Sequence, residues 1–200
     1  GAVIADGTAF PVSMGRGASF DPDLEEQVGE AIGAELRAAG ATFTGAVCLN
    51  LLRHPAWGRA QETYGEDPHH VGEMAAASTR GLQRHVLACM KHFALNSMEN
   101  ARFSVDVTVG ERALHEVYLP HFRRVATQGV ASVMSAYNSV NGEWCGQNRE
   151  LLTGVLRDDD VAAGLEAVVT RRLETVDLAP ILARGIDIAV EGRHHQAALD

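Results

Sequence analysis

The chain has 200 residues, 46% of them hydrophobic and 22% charged, the balance of a globular domain long enough to bury a sizeable core. A formal net charge of -9 disfavours a general binder of phosphate backbones, which needs a basic face, so no nucleic-acid partner is expected. No run reaches the roughly 18 apolar residues of a membrane span, so no membrane partner is expected either.

Cys48, Cys89 and Cys145 are scattered, without any CxxC spacing, and read as reduced structural thiols, which predicts a cytoplasmic protein. The first ten residues, GAVIADGTAF, show no charged segment followed by an apolar core, so no signal peptide is read. They also lack an initiator Met, so a fragment is expected and secretion stays open. Residues 1–200 read as a single, partial domain, without a repeat or a Ser/Gly linker.

In chain order, Asp21-Pro22 opens a helix, with Asp21 as N-cap, Pro22 in the first turn and Glu25 and Glu26 at the positive end of the dipole. Leu24, Val28, Ile32 and Leu36 recur at four-residue spacing and predict its apolar face, and Gly40 predicts its end. A strand is expected over 45–51, with Asn50 near its C-terminal end. A second helix is expected from Asp67-Pro68 to about His85, and a second strand over 86–93. Residues 103–109 alternate with period two and read as a short strand or extended loop. A long helix is expected over 111–128, broken or kinked at Pro120. A strand over 130–137, a loop over 138–147 and a helix over 149–157 with Asn148 as N-cap complete the pattern.

Strand–loop–helix alternation at this spacing predicts βαβ units and a parallel sheet. The polar candidates follow the strands: Arg53 and Arg59, then Lys91 and His92, then Tyr137 and Asn138. In a TIM-type (β/α) barrel such loops share one face, where these side chains converge. A doubly wound open sheet is the competitor, disfavoured because no Gly-rich phosphate or dinucleotide loop follows any strand.

Residues 50–68 form the most distinctive segment, a loop punctuated by Pro55, Gly58, Gly65 and Pro68 yet carrying Arg53, Arg59, Glu62, Glu66 and Asp67. Such loops are where binding chemistry concentrates, although ion pairing alone would also account for the charges. Lys91 and His92 at a strand end offer donors for vicinal hydroxyls, with a buried histidine and a solvated lysine as the plainer reading. Tyr137 could wall an apolar sugar face or simply fill core. His69, His70 and Glu73 have helical spacing for a metal but read as a solvated helix end, and His194 and His195 as exposed, so no metal or other cofactor is expected.

The 50–68 segment, then Ala88-Cys-Met-Lys-His-Phe93, then Val133-Met-Ser-Ala-Tyr-Asn-Ser-Val-Asn-Gly142, resemble in order and spacing motifs of family 3 glycoside hydrolases of the β-glucosidase kind. Residues 10–14, 96–102 and 148–152 resemble the intervening blocks, and the likeness covers about residues 7–158. It implies a (β/α) TIM-type barrel, incomplete at its N-terminus and divergent after residue 158. It further implies a terminal β-linked sugar of a small-molecule or oligosaccharide glycoside as substrate. By that resemblance Arg59, Lys91, His92 and Tyr137 line the subsite for the sugar, Met134 lies close to it, and Glu62 orients the basic residues.

A retaining hydrolysis needs two carboxyl groups about 5 Å apart, a nucleophile and a general acid/base. In the family the nucleophile is an Asp at a Val-Val-Ser-Asp-Trp-like strand end. Here the best local match is Val168-Val169-Thr170 followed by Arg171, so no nucleophile is identified; Asp160 and Asp177 fit only under another alignment. The family's upstream Asp is reduced to Asp6 or precedes Gly1, and 185–188 resemble the next barrel strand. The acid/base is expected from a second domain or missing segment. The alternative is an inactive carbohydrate-binding remnant.

Overall fold

The structure is a computed structural model and describes residues 7–158 and 167–169. A short helix α1, Ser13–Gly17, leads to α2, Pro22–Ala38, whose N-cap Asp21 accepts a hydrogen bond from the Leu24 amide at 2.9 Å. Pro22 supplies the fixed φ of a first helical residue. Gly40, at φ +89°, turns the chain out of the helix in a conformation that an L side chain would strain to adopt.

The buried face of α2 differs from the expected one. Glu25, Gly29, Gly33 and Leu36 point inward, whereas Leu24 is 47% exposed. The cause is a close helix crossing. A Cβ added at Gly29 would lie 2.6 Å from the Ser78 carbonyl oxygen of the facing helix. Small residues therefore take the contact line, and the larger apolar ones are displaced to its flanks.

The chain next enters β1, Phe43–Thr44, which pairs in parallel with β2, Leu87–Phe93. The strand expected over 45–51 is corrected: regular pairing lies just before it, and this stretch follows β2 as an irregular ladder. Val47 N donates to Cys89 O at 3.2 Å, Lys91 N to Val47 O at 2.8 Å and Leu49 N to Lys91 O at 2.6 Å. A single 3-10 turn, Ala60–Glu62, precedes α3, Pro68–Leu82, again with an Asp-Pro start, Asp67 accepting from the His70 amide at 2.7 Å. Helix α3 stops three residues before the expected His85.

After β2, the segment 103–109, expected as a short strand or extended loop, holds the two-residue strand β3, Asp106–Val107. The expected long helix is three pieces: α4, Glu111–Ala113, a π-helical turn, Leu114–Tyr118, and α5, Pro120–Ala126. Pro120 opens α5 as its first residue, because it has no amide proton to donate to the turn before it. Then β4, Ser132–Ser135, pairs in parallel with β2. The expected loop over 138–147 contains a hairpin, β5, Ser139–Val140, and β6, Glu143–Trp144. Its turn is Asn141-Gly142, both at positive φ (51° and 90°), the geometry that two-residue hairpin loops favour. A π-helical segment, Glu150–Asp158, follows, its Leu151 amide capped by Asn148 at 2.9 Å. Strand β7, Ala167–Val169, pairs in parallel with β4.

The main sheet runs β1-β2-β4-β7, all parallel and in chain order. A doubly wound sheet reverses strand order at its switch point; an arc of a (β/α) barrel does not. Helix α3 packs between α2 and α5, so the outer layer follows the same sequence. The fold is the TIM-type barrel class.

The two faces of the arc differ in chemistry. Val47, Leu49, Ala88, Met90 and Val133 join Val71, Met74, Ala75, Phe122 and Val125 in the core between strands and helices. Phe93 meets Phe122 edge to face at 5.1 Å. In β2 and β4 the alternate residues face the other way: Cys89 is registered with Ser132 and Lys91 with Met134. Cys48, Cys89 and Cys145 are all buried free thiols, each pushed up to about 11 chiefly by desolvation.

Candidate sugar site

The site is built where β2 stops being regular. Between Lys91 and Phe93 the register to β4 slips by one residue, leaving His92 unpaired on that side. On the other side the side chain of Asn50 supplies the next rung of the ladder. Its Nδ2 donates to the His92 carbonyl at 2.9 Å, and its Oδ1 accepts from the His92 amide at 2.9 Å. The same Oδ1 lies 2.8 Å from His92 Nδ1.

His92 is only 1% exposed. Its second ring nitrogen, Nε2, lies 2.7 Å from Arg59 Nη1. A guanidinium only donates, so Nε2 accepts. Burial first, and then the neighbouring Arg59, Lys91 and Arg102 charges, push the imidazole down to about 2. The ring is neutral throughout the physiological range.

Arg59 ends the loop before the 3-10 turn, and that turn brings Glu62 back beside it. Arg59 Nε donates to Glu62 Oε1 at 2.8 Å and Nη2 to Glu62 Oε2 at 2.6 Å, a bidentate pair. Burial is the largest single influence on Arg59 and works against its charge, but hydrogen bonding to Glu62 together with the charges of Glu62 and its other neighbours outweighs it and raises the guanidinium above its usual range. The Arg59 hydrogen bonds also hold the Glu62 carboxyl below the usual carboxylate range, against a smaller effect of burial. Among the described residues, three of the five Arg59 N–H groups are thereby committed and two remain for other partners.

Lys91 is half-buried on the sheet face opposite the helices, with Cys48 bridged to it on one side and Met134 in register on the other. Tyr137, two residues beyond β4, packs against Phe103 at 5.1 Å between ring centroids, with the Arg102 guanidinium 5.3 Å from its own. Arg102 also pairs with Glu99 at 2.7 Å, and Glu99 lies 4.0 Å from Arg59 Nη1. Arg59, Lys91 and His92 thus form one group at the end of β2. Met134 is beside it, and Arg102 and Glu99 link it to Tyr137.

Two expected members go elsewhere. Arg53 is exposed and lies over the Tyr118 ring at 5.7 Å, away from the group. Asn138 is buried and donates to the Ala94 and Ser139 carbonyls. His70 Nε2 is 2.9 Å from the Gly17 carbonyl oxygen, and Glu73 is held by Arg124 at 2.5 and 3.0 Å, so both are engaged within the scaffold. Asp6, Asp160, Arg171, Asp177, residues 185–188, His194 and His195 lie outside the described residues.

Sequence reasoning missed the work of Asn50 and of the Glu99–Arg102 pair. Glu99 and Arg102 carried a signal, opposite charges three residues apart. Nothing in the sequence joins Asn50 to His92, 42 positions on. Among the described residues, three cations (Arg59, Lys91, Arg102) face two carboxylates (Glu62, Glu99) around the site, and each carboxylate is already taken by an arginine. Such a surface presents N–H donors, backed by an aromatic edge and a thioether. It suits a neutral ligand rich in hydroxyl groups.

Residues 1–170 match the family model described as the glycosyl hydrolase family 3 N terminal domain. Thermostable beta-glucosidase B of Acetivibrio thermocellus is 38% identical over 189 residues, which cover 94% of this chain and 25% of that protein. Among solved structures, beta-glucosidase 3B from Thermotoga neapolitana in complex with glucose superposes with a TM-score of 0.78 at 43% identity, over 82% of this chain and 23% of that one. DesR, a beta-glucosidase from Streptomyces venezuelae in complex with D-glucose, superposes with a TM-score of 0.79 at 34% identity, over 88% and 22%. The chain spans about a quarter of the length of these relatives.

Proposed function

The chain belongs to the glycosyl hydrolase family 3 N-terminal domain family, and from that membership we propose that it holds the terminal β-linked sugar of a glycoside for a β-glucosidase-type hydrolysis. The observation that carries the reading is the group at the end of β2, where Arg59 is fixed by Glu62 and His92, and Lys91 precedes His92 in the strand and lies near enough for its charge to act on it. The two uncommitted Arg59 N–H groups and the Lys91 ammonium donate to vicinal hydroxyls of the sugar. Tyr137 and Met134 line the apolar side of the ring, and His92 acts on the sugar by holding Arg59. That beta-glucosidase 3B of Thermotoga neapolitana and DesR were both solved with glucose supports this choice of ligand.

The chemistry is hydrolysis of an O-glycosidic bond with retention, through two carboxyl groups about 5 Å apart. Glu62 and Glu99 are unsuited to either role, because each is the counter-ion of an arginine. The nucleophile and the acid/base are therefore supplied from outside the described site. The substrate hydroxyls are bound in ground and transition states alike, so these residues lower KM more than they raise kcat.

The test is calorimetric titration with glucose, together with release of nitrophenol from an aryl β-glucoside, with a full-length family member as positive control. Lys91→Ala is expected to abolish glucose binding. Hydrolysis lost with Lys91→Ala supports the enzyme, binding without turnover reduces the chain to a sugar-binding module, and wild-type protein that binds no glucose overturns the reading.

A further inference from the structure

We propose that Asn50 is the positioning residue of this site, fixing the tautomer of His92 so that its Nε2 lone pair holds Arg59 in place. The assignment rests on the reading of the site as a sugar subsite and goes beyond it by naming the residue that sets its geometry.

The orientation of the Asn50 amide follows from the chain itself. A backbone amide only donates and a backbone carbonyl only accepts. The Asn50 side chain spans both of those groups on His92, at 2.9 Å each, so its Nδ2 faces the carbonyl and its Oδ1 faces the amide. Reversing the amide would set donor against donor and acceptor against acceptor. With Oδ1 fixed as an acceptor 2.8 Å from His92 Nδ1, that nitrogen must carry the ring proton. Nε2 is then left as a lone pair, and Arg59 Nη1 at 2.7 Å is the donor that meets it.

A proton on Nε2, whether by tautomer exchange or by full protonation, turns an acceptor into a donor and sets N–H against N–H at Arg59. The charged groups around the ring act against full protonation. Arg59 and Lys91 flank it and Arg102 approaches from the loop after β2, while Glu62 and Glu99 are held by Arg59 and Arg102. Desolvation acts in the same direction, holding the ring neutral. Asn50 settles which nitrogen bears the single proton. A carboxylate at position 50 would keep the Nδ1 hydrogen bond but favour the imidazolium, so the lone pair for Arg59 would be lost as the ring charges.

The experiment is nitrogen NMR of the protein labelled with 15N-histidine, from pH 5 to 8. The His92 resonances are assigned by their loss in His92→Gln, and glucose affinity is measured in parallel. Wild-type His92 is expected to stay neutral with its proton on Nδ1 across the range. In Asn50→Asp the ring titrates within it, and glucose Kd rises by roughly tenfold at the acid end, the size of one charge-assisted hydrogen bond, then recovers toward pH 8. In Asn50→Ser, which removes the amide without adding charge, the proton moves toward Nε2 and affinity falls at every pH alike. A wild-type His92 protonated on Nε2, or titrating between pH 5 and 8, overturns the assignment, and so do Asn50 variants that bind glucose like the parent. Spectra as expected from a wild-type protein that binds no glucose uphold the tautomer assignment and sink the sugar-subsite reading instead.

Discussion

Glu62 grips Arg59 with both carboxylate oxygens, at 2.8 Å from Nε and 2.6 Å from Nη2, across a single 3-10 turn. The pair is partly exposed, 16% for the arginine side chain and 30% for the glutamate. Ion pairs in that setting add little to stability. Its consequence is directional, because a bidentate carboxylate fixes the plane of the guanidinium and with it the directions of the remaining N–H groups.

Glu62→Gln therefore separates positioning from folding. The amide offers one acceptor and turns a donor toward a donor, so the guanidinium loses its fixed plane. Glucose affinity is expected to drop about tenfold, equal to one charge-assisted hydrogen bond, while the thermal midpoint moves little. Calorimetric titration beside a thermal melt checks both, and a large loss of stability with unchanged affinity would show that the pair is structural.

The same pair sets an acid limit. The Arg59 hydrogen bonds lower the Glu62 pKa from its ordinary value of 4.5. A depressed carboxylate contributes its interaction fully above the unfolded pKa and loses it only as pH falls through the folded one. His92 adds no titration above about 2. Glucose binding is therefore expected to stay level from pH 7 down to 4.5, the ordinary value of a free glutamate, and to fall only below it. A titration series across that range decides the matter, and a midpoint near 6.5 would point to His92 instead.

The helix starts were legible in the sequence because they are local. Asp21, Asp67 and Asn148 each cap the helical segment that follows with their own side chains. What failed were features decided by neighbours distant in the chain. The apolar repeat at Leu24, Val28, Ile32 and Leu36 was real, yet the line of contact passes one residue later, through Gly29 and Gly33, because backbone approach rather than side-chain size governs that crossing. Residues 45–51 follow β2 by hydrogen bonds that no pattern within them requires. The hairpin at Asn141-Gly142 did carry a local signal, the residue pair most favoured in two-residue turns. At the site the basic residues stood out by type, whereas Asn50 is defined only by the His92 backbone it meets.

The crossing of α2 and α3 yields a stability prediction whose sign is not obvious. At Gly81 an alanine would gain about 1 kcal/mol of helix propensity. Its Cβ, however, would overlap the Glu26 carbonyl and the Glu30 amide across the interface, both of them backbone atoms that cannot swing aside. Overpacking costs about 1–3 kcal/mol or more where the backbone must move, so the clash wins. Gly81→Ala is expected to lower the thermal midpoint, and the ion pairs of Arg80 and Arg84 with Glu26, at 2.8 and 2.6 Å, would be stretched in the same movement. A melt at or above the parent's would show that the helices can part without cost.

Glu25 joins Arg16 and Tyr64 in one buried cluster. It is 1% exposed and receives Arg16 Nε at 2.7 Å, Arg16 Nη2 at 3.1 Å and the Tyr64 hydroxyl at 2.7 Å. The three residues come from α1, α2 and the loop that carries Glu62, so one buried carboxylate ties the segment before α2 to the site loop. Removing one partner of a buried ion pair costs about 3–5 kcal/mol, because the other charge is left without compensation. Losing a single hydroxyl hydrogen bond costs about 1 kcal/mol. Glu25→Ala is therefore expected to destabilise the fold far more than Tyr64→Phe, and Arg16→Met combined with Glu25→Leu to recover much of the loss by replacing both charges with apolar volume. Chemical denaturation of the four proteins checks the order. A double variant no more stable than Glu25→Ala would mean that the cost comes from lost packing at the α1–α2 junction and not from the stranded arginine.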